Sequence, residues 1–323
     1  MSKLELNLQT IKEKMVFVHA SMSVYSGEVS LSKTNLASSG LPKNLVTTGG
    51  LKLVDPKAFN SIDSIKAGLR SKLAKFGQSC DFGFATPREK WEFAKSSILE
   101  AQPKFDFAVD EFCNNYKILN EQWAIRDDHK GFSDAIVNAA HSIEYVRSRF
   151  AFRYSAVTCD PFAGTEDQFV EEIHGLIPSI HQDISQKAKS ALKGYRSNKS
   201  AITARIGNTM NEICEKLSCL AFLDSNLQHT SDVIQNFMNA QLQHVIPGKK
   251  QLPEDVQSKI ATLLMQMENP ENLPVLGDLI DSIHKPVEIV SIPSDSAADS
   301  IDALQPNPTQ QSPWSGFTKQ TFF

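Results

Sequence analysis

Glu171 and His174 stand three residues apart, with His181 a further seven along. On a helix Glu171 and His174 share one face, the placement by which a Glu-x-x-His pair ligates a metal inside a bundle. A di-iron bundle needs two such pairs and two further glutamates. This chain has one, and His141-x-x-Glu144 runs in the reverse order. These residues therefore read as a solvated helix face, and no cofactor or metal is expected. The chain also lacks Gly-x-x-x-x-Gly-Lys-[Ser/Thr], Gly-x-Gly-x-x-Gly, His-Glu-x-x-His and Gly-x-Ser-x-Gly. It is expected not to be an enzyme.

Phosphate binding is a different chemistry with its own candidates. From Ile184 to Asn211 there is no acidic residue, while Lys187, Lys189, Lys193, Arg196, Lys199 and Arg205 all fall there. Lys189, Lys193 and Arg196 step by four and three, so on a helix they share a face, and each can neutralise a phosphate. Arg147, Arg149 and Arg153, close to Phe152 and Tyr154, form a second basic cluster suited to phosphates and bases. At this charge density a solvated or internally paired face is the stronger reading of both clusters. A third candidate is the end of the chain, "WSGFTKQTFF", whose Trp314, Phe317, Phe322 and Phe323 suit a short peptide that docks on a partner.

The chain that must position these groups has 323 residues, a formal net charge of −4 and 41% hydrophobic residues. That balance is ordinary for a globular protein and exerts no global pull on nucleic acid or membrane. There is no apolar run long enough to span a bilayer and no apolar core of a signal peptide at the N-terminus. Cys80, Cys113, Cys159, Cys214 and Cys219 are odd in number and form no Cys-x-x-Cys, so reduced thiols and a cytoplasmic setting are expected.

Residues 15–36 read as a short hairpin or pair of strands, and 45–56 as another strand–turn element. Asp55-Pro56 then signals a helix start, followed by an apolar stripe of Phe59, Ile62, Leu69, Leu73 and Phe76, with Gly77 as a left-handed stop. The stretch "GQSCDFGFATPREKWEF", residues 77–93, is expected to run extended and then enter a helix through a capping box at Thr86 and Glu89, with Gly83-Phe84 as a ligand loop the weaker reading. Trp91, Ala94, Ile98, Phe105, Ala108, Phe112, Leu119 and Trp123 continue one stripe through Pro103, and Trp91, Tyr116 and Trp123 are core candidates. A further helix is expected over 132–154, and a second capping box at Thr165 opens a long helical region. There Ile206, Ile213, Leu220, Leu227 and Ile234 recur every seven residues, which predicts coiled-coil packing or an ordinary bundle. Lys193-Gly194 or residues 197–200 mark a hairpin between long helices, unless one bent helix runs through. Short helices fit 253–268 and 273–284, and the Ser-, Asp- and Pro-rich remainder is expected to be disordered.

Four segments carry a further resemblance: "SVYSGEVSLSKTNL" (23–36), "LPKNLVTTGGLKLVDPKAF" (41–59), "GQSCDFGFATPREK" (77–90), and Tyr116 with Trp123 followed by Arg147-Ser-Arg-Phe. Over residues 15–160 the chain resembles a family of uncharacterised bacterial proteins, a domain of unknown function carried by phages, conjugative elements and related plasmids. Members stand beside MoxR-type AAA+ ATPases and cobaltochelatase-like von Willebrand factor A proteins. The resemblance implies a helical accessory partner in such an ATPase system and supplies no catalytic residue.

The sequence thus predicts a mainly α protein. A small α+β head (1–86) leads to a helical body with a long antiparallel coiled-coil arm (87–245), short C-terminal helices (246–285) and a disordered tail (286–323). A non-enzymatic adaptor or scaffold is expected, partnered by an AAA+ ATPase or by itself and not by a membrane. A nucleic-acid-binding accessory factor in replication, recombination or transfer of the element is the alternative.

Overall fold

A short helix, α1 (Leu8–Lys14), delivers the chain into strand β1 (Met15–Ser23). Met15, Val16, Phe17 and Val18 are all buried, which requires cover on both faces of the strand. β1 lies inside an antiparallel sheet ordered β5-β6-β1-β7, with β5 at Gln78–Cys80, β6 at Gly83–Pro87 and β7 at Ala151–Val157. Its register sets Phe17 opposite Ala85 on one side and opposite Val157 on the other. The structure, a computed structural model, describes residues 8–30, 46–47, 50–129, 131–198, 202–203, 205–242 and 252–284. All lie within one unit, Met1–His284, which is mainly helical.

Alternation along β1 sends its side chains into two cores. Val16, Val18 and Met22 join the apolar stripes of α2 (Asn60–Ala74) and α3 (Trp91–Ala124), including Ile62, Leu69, Ile98, Phe105 and Phe112. Met15, Phe17 and Ala85 join the C-terminal helices: α6 (Glu166–His174), α7 (Leu176–Asn198), α8 (Ile206–Cys219), α9 (Ser225–Leu242), α10 (Glu254–Met267) and α11 (Leu276–His284). The predicted stripe Phe59 to Phe76 is buried as expected, the stripe Phe169, Ile173, Leu176, Ile180 and Ile184 is buried likewise, and α3 runs unbroken through Pro103. A second sheet, β2 (Glu28–Ser30), β4 (Gly50–Lys52) and β3 (Val46–Thr47), packs Leu51 against Trp123, Ala124 and Ile136.

Several local expectations give way to pairing. The two strands within 15–36 form no hairpin; β1 and β2 belong to different sheets. Thr86 does not cap a helix, because it sits in β6 opposite Val16 and its hydroxyl donates to the Phe84 carbonyl at 3.3 Å. Asp55 does cap, accepting from the Lys57 N–H at 2.9 Å. The box at Thr165 is likewise unformed: its hydroxyl donates to the Phe162 carbonyl at 2.8 Å, while Glu166 accepts from the Gly164 N–H at 2.6 Å. Gly77 is not left-handed. Its N–H donates to the Leu73 carbonyl at 3.0 Å, and an added Cβ would lie 2.8 Å from the Thr86 hydroxyl, so close approach explains the glycine.

The expected helix over 132–154 is three elements: α4 (Ser133–Asn138), α5 (Ile143–Ser148) and then β7. Ile136, Val146 and Phe150 keep a helical spacing, but β1 offers residues 151–157 a ladder that a helix would forgo. The sheet therefore crosses residue 86, the edge of the expected head. The seven-residue repeat is buried throughout, but residues 220–224 interrupt it, so its members lie on the paired helices α8 and α9 and their junction. The long helix α7 packs chiefly against α10. The stretch expected to turn at 197–200 and the tail 286–323 reach outside the described residues.

Gly83 has φ +111°, and a Cβ there would lie 2.5 Å from the Val18 carbonyl. Gly83→Ala is expected to cost more than about 1 kcal/mol in urea unfolding. Gly68, inside α2 with nothing near it, is expected to gain about 0.5–1 kcal/mol as Gly68→Ala.

Candidate functional site

Tyr25 follows β1 and is buried at the centre of an aromatic ring set. Phe59 comes from the turn before α2, Phe112 and Tyr116 from α3, His141 from the link between α4 and α5, and Phe150 from the residue before β7. Their ring centroids lie 5.7–6.5 Å from that of Tyr25. Residues from separate stretches of the resemblance, Tyr25, Phe59, Tyr116 and Phe150, thus meet in one place. The Tyr25 hydroxyl lies 2.8 Å from His141 Nδ1 and 3.2 Å from the Tyr116 hydroxyl, which accepts from the His141 backbone N–H at 3.3 Å.

These contacts close a ring of three hydrogen bonds when each group takes one role. Tyr116 donates to Tyr25, Tyr25 donates to Nδ1, and the His141 ring carries its proton on Nε2. Burial, and then the hydrogen bond with Tyr116, push the Tyr25 hydroxyl well above its ordinary pKa of 10.0. It stays neutral at physiological pH, so it serves as a positioned donor and not as a nucleophile. Beside it lies a cavity of about 440 Å³ lined by Cys113, Tyr116, Asn120, Val137, His141 and Ile143. Asn120 donates to the Leu53 carbonyl at 2.7 Å, and Trp123 Nε1 to the Lys52 carbonyl at 3.1 Å, tying α3 to the small sheet.

The basic candidates divide. Lys187 is half-buried, Lys189 and Lys193 are exposed on α7, and Arg205 is exposed just before α8. Arg196 lies on the α7 backbone, and Lys199 lies outside the described residues, as do Trp314, Phe317, Phe322 and Phe323. The arginine cluster is dispersed by its contacts: Arg147 pairs with Asp110 at 2.6 Å, Arg149 stacks over Tyr145, and Arg153 is exposed on β7. Glu171 and His174 are exposed on α6, and among the described residues no group of three His, Cys, Asp or Glu side chains is placed to hold a metal ion. Gly83-Phe84 is strand, with Gly83 pressed against β1.

Two features escaped the sequence reading. Lys216 is fully buried on α8 and bonds Asp183 of α7 at 3.0 Å. Burial lowers its pKa more than the Asp183 carboxylate raises it, and nearby Lys187 adds to the lowering. Its place three residues past Ile213, on the buried stripe, was the available signal. The second is β7. Among the described residues it pairs with β1 alone, over seven consecutive residues, and from Arg153 to Val157 every residue is exposed. The opposite edge, β5, is only three residues long and is flanked by α7.

Residues 12–255 match a family model described as a protein of unknown function, DUF3150. No curated protein and no solved structure matches the chain.

Tyr25→Phe is expected to cost about 1–3 kcal/mol by leaving His141 Nδ1 and the Tyr116 hydroxyl short of a partner. A group whose folded pKa is raised holds its proton while the unfolded chain loses it. The Tyr25 contribution is therefore full below pH 10 and lost as pH rises further. Urea titrations across pH 9–11 should show a smaller alkaline loss of stability in Tyr25→Phe than in the parent.

Proposed function

The chain belongs to the DUF3150 family of proteins of unknown function, and we propose that it is a cytoplasmic, non-enzymatic adaptor or scaffold of a phage or other mobile genetic element. The observation that carries this reading is the outer edge of β7, which no other strand among the described residues pairs. Sheet edges present unpaired N–H and C=O groups, and proteins blunt them with proline, charged side chains, bulges or brevity. β7, AFRYSAV, carries a single charge, Arg153, and no proline; its register with β1 is unbroken, and it is seven residues long. Strand addition uses such an edge, with main-chain hydrogen bonds giving affinity and alternate side chains giving selectivity. The Tyr25 hydroxyl is engaged by Tyr116 and His141, and Lys216 is buried against Asp183, so both groups are accounted for as structural contacts. No helix of the described residues is long and apolar enough to cross a membrane.

The resemblance to chains found beside MoxR-type AAA+ ATPases supports such an ATPase as the partner. The full-length chain, used as bait in cells carrying its native element, is expected to retain such an ATPase. Ser155→Lys, which sets a lysine on the exposed edge, should reduce retention at least tenfold, to an order of magnitude. Failure to retain an ATPase, or retention indifferent to Ser155→Lys, would sink the adaptor reading.

A nucleic-acid-binding accessory factor is the second reading, favoured by the exposure of Lys189 and Lys193 four residues apart on α7. It expects salt-sensitive retention of duplex DNA at low ionic strength. Lys189→Glu with Lys193→Glu should then flatten the log–log salt slope by about one unit per lost phosphate contact. A chain that retains no DNA even at low salt disposes of this reading.

A further inference from the structure

We infer that the occupant of the β7 edge is β7 of a second copy of this chain, paired antiparallel about a twofold axis through Tyr154. This rests on the same edge and deepens the adaptor reading by giving that edge to a second copy, so that an ATPase is retained by the paired form and not by adding its own strand to β7. The inference turns on register. A twofold that extends an antiparallel sheet runs perpendicular to it and keeps each face continuous, so residues i and j pair only when their numbers sum to an even value.

The sum 308 pairs all seven residues: Ala151 with Val157, Phe152 with Ala156, Arg153 with Ser155, and Tyr154 with itself. Every pair is then apolar with apolar or a cation with a hydroxyl, and the large Phe152 faces the small Ala156. The neighbouring sum, 306, shortens the ladder and sets Arg153 against Arg153, a like-charge pair that opposes association. The other neighbour, 310, leaves Ala151 and Phe152 without partners. The strand is therefore self-complementary in one register.

Faces agree as well. Phe152, Tyr154 and Ala156 lie opposite Met22, Ala20 and Val18, on the side that α2 and α3 cover. Phe152 packs on Phe105 of α3, with ring centroids 5.7 Å apart. Tyr154 and Val157 remain 43% and 51% exposed. Pairing through Tyr154 brings the two tyrosine rings side by side over the joint and continues the four-stranded sheet into one of eight, arithmetic that doubles the observed strand order. The edge hydrogen bonds that water now satisfies become a ladder, and both exposed side chains gain cover.

The test uses the full chain and its mass in solution. Wild type is expected to sediment as a dimer of 35.8 kDa chains at micromolar concentration. Tyr154→Lys places two ammonium groups opposite each other at the axis, and Tyr154→Glu two carboxylates. Each alone should weaken dimerisation by about 100-fold, the scale of a like-charge juxtaposition. Mixed in equal amounts, the Lys and Glu variants should recover a heterodimer, because only at a twofold axis does residue 154 face itself. Circular dichroism matching wild type, and recovery on mixing, separate this from misfolding.

A monomeric wild type would overturn the inference, as would a dimer unmoved by Tyr154→Lys or variants that fail to recombine. A monomer that still retains the ATPase through β7 would leave the adaptor reading standing. A dimer that retains no ATPase would remove that reading and keep this one.

Discussion

Strand β1 is the wall that two cores share, and the rest of the fold depends on its alternation. Met15 and Phe17 pack toward the C-terminal helices, while Val16 and Val18 pack toward α2 and α3. A slip of one residue would exchange the two sets, sending each apolar group into the wrong core. Neighbouring strands fix the register from both sides, with Phe17 held between Ala85 and Val157. Gly83 tightens it further, since only a residue without a Cβ lets β6 approach the Val18 carbonyl so closely. Truncating a fully buried phenylalanine such as Phe17 typically costs about 3–5 kcal/mol, comparable to much of a domain's net stability.

That wall explains which parts of the fold were legible in the sequence. Helical stripes are local: Ile62, Leu69 and Leu73, or Phe169, Ile173 and Ile180, declare their period within one element, and each stripe is buried. Strand β7 is not local. Residues 136, 146 and 150 keep helical spacing, and the period-two run that follows is short. What makes 151–157 a strand is β1, more than a hundred residues earlier. The boxes at Thr86 and Thr165 fail for a related reason, since each hydroxyl bonds a nearby carbonyl and leaves the helix N-terminus uncapped. Likewise Ile206 to Ile234 could be read as a repeat, but the break at 220–224 carries no proline or glycine to announce it.

The candidate site was legible only in pieces. Tyr116 and Trp123 were assigned to the core, and both are buried. That Tyr25 would meet Tyr116 and His141 follows from folding residues 91 and 116 positions away back onto it. No spacing rule links them. A seven-residue repeat counts apolar members, so it carries no sign of the Lys216 ammonium lying on their stripe. Once Asp183 is placed beside it, the pair is intelligible as a tie between α7 and α8. Loss of Asp183 would leave the buried Lys216 ammonium without its carboxylate, whereas Asp183, 46% exposed, could return to water if Lys216 were lost.

Buried polar side chains elsewhere hold irregular chain in place in the same way. Gln257 accepts from the Ile202 N–H at 2.9 Å and donates to the Leu252 carbonyl at 2.7 Å. Thr230 donates to the Leu273 carbonyl at 2.9 Å, and Ser185 to the Glu268 carbonyl. Among buried side-chain polar atoms of the described residues, only Gln78 Oε1 and His181 Nε2 lack a partner. Apolar stripes bring the helices together, and amides and hydroxyls then pin the segments between them, because an unmet buried group costs about 1–3 kcal/mol. Burying Phe152 under α3 requires β7 to pair with β1, and holding Phe17 in register continues that ladder to Val157 through residues that are themselves exposed. That continuation is what gives the edge its length, and an edge of that length is what a second strand can use.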